Sequence, residues 1–257
     1  MTAAEQLARA ERARLGLHPM APIEDLVRVL EDAGVHVALW QLGEHGLAGM
    51  YQEREGVPVI LVNSSTHPVR ARFTLAHEHG HHRLGHEVAL DRVIDPRLRE
   101  RREVEANQFA AELLMPRAGV EEWLRAGGRR MDLETVIRLA NHYAVSCEVA
   151  LHRLERTRRV RGAPARELAA RLEAGDHLEL AWQLALPELD DTLAQDRRLQ
   201  VRMPRATRRV VLRALRHGLI DAEGAADRLH VDRLEIQRMR RLAGTQAHGG
   251  LGGAVHD

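Results

Sequence analysis

The chain has 257 residues with 38 basic and 37 acidic side chains, and its net charge of +1 excludes a strong global field for nucleic acid. Apolar residues at 44% allow a buried core, aromatics at 3% leave that core to aliphatic side chains, and the single cysteine, Cys147, excludes an intrachain disulfide. No apolar run approaches the ~18 residues of a membrane span and the first residues lack the apolar core of a secretory signal, so a cytoplasmic location without membrane contact is expected.

After a short helical start, Ile23, Leu26, Val27 and Leu30 repeat at helical spacing, and Gly34 stops the run. Three β-type runs come next, Val35 to Trp40, Leu47 to Tyr51 and Val57 to Val62, with turn residues between them. Pro68 then opens a patterned helix through Leu84. Beyond it the pattern is helical, with helices expected at Pro96 to Met115, Val120 to Ala126, Leu133 to Tyr143, Cys147 to Arg158 and several after Ala165. The first third is α+β and the rest all-α. The charged, Gly- and Pro-containing stretch Arg158 to Pro164 marks a boundary. Expected domains are 1–160, 161–243 (helical, of unknown role) and a flexible Gly-rich tail, 244–257.

His77-Glu78-His79-Gly80-His81 fits the pattern HExxH. Residues i and i+4 share a helix face, so His77 and His81 converge on one ion, and Glu78 reaches a water on that ion as general base. Phe73, Ala76, Gly80 and Leu84 form an apolar floor for the pair. With sixteen histidines in the chain, a non-catalytic His-rich tract is the competing reading. A catalytic zinc takes three protein ligands, so a third is needed. Gly85 and His86 each miss the register of HExxHxxGxxH by one residue. The segment from Glu103 to Pro116 offers an acid instead. Glu103 shares a face with Ala106, Asn107, Ala110 and Leu114, which suits close helix packing, whereas Glu105 aligns with Gln108 and Glu112 on a solvated face. Helical geometry favours Glu103, with Asn107 placed to orient a ligand. For either glutamate the competing reading is a charged helix surface. His142, Tyr143 and Arg72 are candidates for an oxyanion donor.

RARFTLAHEHGHH followed by ExxANxFAAELLMP resembles the ImmA/IrrE family of bacterial metallopeptidases, and the likeness covers roughly Pro22 to Arg158. It extends to Gly46-Leu-Ala-Gly-Met-Tyr51, Val59 to Asn63 and Leu139 to Ser146. The resemblance implies a small thermolysin-like α+β zinc peptidase fold with a short sheet, followed here by an all-α region. It places the metal ligands on His77, His81 and Glu103, the catalytic glutamate on Glu78, and one zinc ion per chain, with manganese as the alternative. It further implies an endopeptidase acting on a helix-turn-helix transcriptional repressor in phage, mobile-element or stress control. His79 departs from the family, which usually has an aliphatic residue there.

Leu133 to Leu154 also has the form of a DNA-reading helix-turn-helix with Ser146 as N-cap, but Glu148 and Glu155 make its second helix a poor partner for phosphate and favour packing. Thr207 to Arg241 repeats the style, with Asp221 and Asp232 as N-caps and a dense set of arginines that includes Arg240 and Arg241. It reads as a grip on nucleic acid or a repressor, or as a solvated bundle. The rival to the peptidase is accordingly a DNA-binding or repressor-sequestering regulator with a non-catalytic metal site.

Overall fold

A computed structural model describes residues 1–43, 47–86, 96–186 and 201–239. Gly46, Arg240, Arg241 and the tail 244–257 lie outside the described residues. The chain divides into two compact units, Met1–Val201 and Arg202–Asp257.

In the first unit α1 (Ala3–Arg14) starts at a capping box: the Thr2 hydroxyl accepts from the Glu5 N–H and the Glu5 carboxylate from the Thr2 N–H. α2 (Leu26–Asp32) starts later than the apolar spacing implies, because the Asp25 carboxylate accepts from Arg28 N–H and fixes the cap there. β1 (His36–Trp40), β2 (Gly49–Arg54) and β3 (Val57–Asn63) form a sheet in the order β1–β3–β2. β2 and β3 are an antiparallel hairpin closed by Glu55 and Gly56, both left-handed at φ 51° and 76°, which matches the twist of the flanking strands. β1 runs parallel to β3, leaving β2 at an edge. Val37, Leu39, Tyr51, Ile60 and Val62 alternate along the strands into the buried core.

α3 (Pro68–Arg83) lies against β2 and β3 and packs most extensively on α4 (Pro96–Leu114), which also carries α1. The buried Arg12 guanidinium donates to the carbonyls of His18, Ala21 and Leu113 and so ties α1 to α4. α5 (Arg117–Gly127), α6 (Leu133–Tyr143), α7 (Cys147–Arg156), α8 (Gly162–Glu173) and α9 (Asp176–Gln183) complete the helices of this unit that the structure describes. Val160, Ala165, Leu168 and Leu172 are buried in the main core. Arg158 to Pro164 therefore lies within the first unit, and the division between units falls after Val201. Its charges ride on a turn whose apolar member, Val160, is inside. The second unit holds α10 (Arg205–Arg216), α11 (Ala222–Leu229) and α12 (233–239) around Val211, Leu215, Ala225, Ala226, Leu229 and Ile236. The first third is thus α+β, and the described remainder is helical. Among the described residues no helix is long and apolar enough to cross a membrane.

Candidate metal centre

Pro68, at the first turn of α3, fixes where the helix begins and thereby which residues face α4. Gly80 lets the two helices approach: a Cβ there would sit 3.1 Å from Phe109 Cδ1 and 3.2 Å from the Ala106 carbonyl oxygen. That close crossing carries Glu103, one turn before Ala106 and Asn107, up to the histidine pair. His77 Nε2 lies 3.2 Å from Glu103 Oε2, His81 Nε2 lies 3.7 Å from Glu103 Oε1, and the two imidazole Nε2 atoms are 3.0 Å apart. These three residues offer one ligand atom each, all within 4.8 Å of one another.

The partners on the far side of each ring assign the tautomers. His77 Nδ1 is 2.9 Å from Asn107 Oδ1, an acceptor, so His77 carries its proton on Nδ1 and turns an Nε2 lone pair towards the cluster. His86 Nε2 donates to Glu105 Oε2 at 3.3 Å, which leaves His86 Nδ1 as an acceptor 3.0 Å from His81 Nδ1. His81 therefore donates from Nδ1 and presents its own Nε2 lone pair. Burial first, then the neighbouring His77 and His86, hold His81 down to about 3, so it is neutral at physiological pH. Two imidazole lone pairs and a carboxylate aimed at one point repel one another unless a cation lies between them. The donor set fits a divalent metal with two nitrogen ligands and one oxygen ligand.

Glu78 faces the same space from α3. Burial, reinforced by the negative charge of Glu103, raises its carboxyl to about 7, while a hydrogen bond from the Tyr51 backbone opposes the shift. β2 passes close by because residue 49 is glycine: a Cβ there would lie 2.4 Å from Thr74 Cγ2 and 3.2 Å from Glu78 Oε1.

Several sequence candidates are engaged elsewhere. Tyr143 donates its hydroxyl to the Met20 carbonyl at 3.1 Å, and the buried Arg72 guanidinium donates to the Ile23 carbonyl. His142 stacks on Trp123 with ring centroids 5.9 Å apart. These contacts lie outside the histidine–glutamate cluster. Glu105 turns to His86 and Arg101, not to the cluster. Glu112 corrects the expectation of a solvated face: it is 4% exposed, 2.9 Å from Arg153, and accepts from the Arg117 N–H. The helical wheel shows that Glu105 and Glu112 share a side of α4, but not that α7 covers the far end of it. His79 is buried off the ligand face and donates from Nε2 to Glu11 Oε1 at 2.8 Å. Glu11 and the His86–Glu105 pair were missed in the sequence; HEHGHHRLGH signals only an excess of histidine, and spacing along one helix does not name partners on another.

Residues 30–155 match the profile of the Peptidase M78 family, described as the IrrE N-terminal-like domain. None of the curated proteins matches the chain.

Proposed function

Because residues 30–155 are an IrrE N-terminal-like domain of the Peptidase M78 family, we propose that the chain is a metal-dependent endopeptidase of the HExxH type. The observation that carries this reading is the convergence of His77, His81 and Glu103 beside the buried carboxyl of Glu78. When bound, a divalent ion such as zinc supplies Lewis acidity, which lowers the pKa of water to about 7 and polarises a peptide carbonyl. His77, His81 and Glu103 would hold it. Asn107, His86 and Glu105 keep the two rings turned inward. Glu78, raised towards neutrality, accepts a proton from the attacking water and passes it to the leaving amide nitrogen. An edge strand, β2, passes beside Glu78, and its backbone is suited to receive an extended peptide.

The substrate in this reading is a regulatory protein, a helix-turn-helix repressor, and the setting is phage, mobile-element or stress control in the cytoplasm. Zinc is the expected ion and manganese the alternative. Co-expression with the product of the neighbouring gene, followed by mass spectrometry, should show fragments that vanish with chelator. Glu78→Gln should retain stoichiometric metal and lose cleavage by about 10²- to 10⁴-fold. A purified chain that binds no divalent metal with His77 and His81 intact would sink the reading.

A further inference from the structure

The chain's small net charge conceals an uneven distribution. Arg202 to Met239 holds nine arginines against five acids, so this segment carries +4 and the rest of the chain −3. Arg205, Arg209, Arg213 and Arg216 fall within about 80° of one another on α10 at 100° per residue. Val211 and Leu215 face away from that sector and into the core of the unit. Among the described residues Arg208, Arg209, Arg213 and Arg216 have no ion-pair partner. The acids are differently placed. Asp221 and Asp232 accept from the N–H groups of Gly224 and Glu235, both at 2.7 Å, and so sit on helix N-termini. Glu235 lies 3.7 Å from Arg238.

α11 and α12 are joined by a three-residue turn. His230 adopts a left-handed conformation at φ 51°, Val231 N–H donates back to the Ala226 carbonyl at 3.1 Å, and Asp232 caps the next helix. Ala225, Ala226 and Leu229 of α11 and Ile236 of α12 are buried. Burial of Ile236 turns Arg233, Leu234, Gln237 and Arg238 outward as one exposed strip. This is a helix-turn-helix whose second helix presents donors and one aliphatic side chain.

We propose that this second unit binds duplex DNA, with α12 in the major groove and the exposed arginines on the phosphates. Arginine and glutamine are the side chains that read guanine and adenine edges there, and an aliphatic group such as Leu234 suits the thymine methyl. Other polyanions fit less well. Residues 202–239 contain no Phe, Trp or Tyr, so there is no platform on which single-stranded bases stack. The major groove of duplex RNA is too deep and narrow for a helix. A membrane surface would need an apolar stripe on α10, but Val211, Leu212 and Leu215 pack into the core and Val210 alone of its large apolar side chains is exposed.

The test is fluorescence anisotropy of the full-length chain with a mixed-sequence 30-base-pair DNA duplex across a range of salt. Binding should weaken linearly in log–log form as salt rises. Replacing Arg209, Arg213 and Arg216 together with alanine should lower the slope by about 2 to 3. A preferred duplex is then selected from a random library. Gln237→Ala and Arg238→Ala should each weaken that duplex about tenfold to a hundredfold and leave the mixed sequence nearly unchanged. All of these side chains are exposed, and circular dichroism checks that the variants keep their helices. Equal affinity for polyaspartate or single-stranded DNA would overturn the proposal. So would self-association of the chain without duplex binding, or identical losses on both duplexes in the α12 variants.

Discussion

The turn between α6 and α7 and the turn between α11 and α12 are built alike. Ala144 and His230 are left-handed at φ 52° and 51°, Val145 and Val231 donate back to Ala140 and Ala226 at 3.0 and 3.1 Å, and Ser146 and Asp232 cap the following helix. The surroundings differ. Where α12 exposes Gln237, α7 buries Leu151, and where α12 carries the partly buried Met239, α7 has Arg153 at 3% exposure. Arg153 Nη1 lies 2.9 Å from Glu112 and 3.8 Å from Glu5, which latches α7 to α4 and α1. Cys147 and Glu148 line a cavity of about 560 Å³ shared with His177, Leu178 and Ala181 of α9. A shared turn therefore fixes only how two helices are joined. What covers the second helix decides whether it is a structural latch or a surface.

The strongest way to break this contrast is at Arg153. Arg153→Met leaves Glu112 buried without its cation and should destabilise the first unit by about 3–5 kcal/mol in chemical denaturation. Met239→Leu, at the matching place in α12, should change stability by less than ~1.5 kcal/mol. Adding Glu112→Gln to Arg153→Met should recover much of the loss, because the buried charge is gone and an acceptor for Arg117 N–H remains. A loss under ~1 kcal/mol in the single variant would mean that the ion pair is not what anchors α7.

Glu11 sharpens the same contrast through pH. Burial opposes its ionisation, yet Arg14, His79 and Arg83 together hold the carboxyl down to about 2 from an ordinary value of 4.5. The folded pKa lies below the unfolded one, so this contribution is whole above about 4.5 and is lost as pH falls towards about 2. Wild type should exceed Glu11→Gln by a few kcal/mol at pH 7, and the gap should close near pH 2. A gap that is constant with pH would show that Glu11 acts by packing alone.

These buried networks mark where the sequence was legible and where it was not. The face shared by His77 and His81, the glutamate on the later helix and the three strands follow from spacing, because i and i+4 on one helix and alternation along a strand are local geometry. Glu11 with His79, Glu5 with Arg156, and Glu112 with Arg153 join residues far apart in the chain. Spacing within one helix carries no record of such pairs, so Glu112 read as surface and His79 only as a departure from the family pattern. A run of charge near Arg158 likewise does not reveal that Val160 beside it is buried.

At the metal centre the contrast between partnered and unpartnered groups narrows to one ring. His86→Leu removes the acceptor of His81 Nδ1–H and should weaken zinc binding about tenfold to a hundredfold by calorimetry. His86→Gln retains an acceptor for His81 and a donor for Glu105, and should recover most of the affinity. Equal losses in the two variants would show that ring volume, not the direction of the hydrogen bonds, matters at this position.

The smallest effect tests the turn itself. A non-glycine residue in the left-handed region costs about 1 kcal/mol through the approach of its Cβ to the carbonyl, and glycine avoids that cost while gaining freedom in the unfolded chain. Ala144→Gly and His230→Gly should therefore each stabilise their own unit by about 0.5 kcal/mol, never more than ~1. Amide exchange at Val145 and Val231, whose N–H groups close the two turns, reads each unit separately. Both amides should exchange more slowly in the respective glycine variant and by similar factors. Slowing at one turn with acceleration at the other would mean that the matching dihedrals hide different strain, and the two helix pairs would then no longer be two uses of one turn.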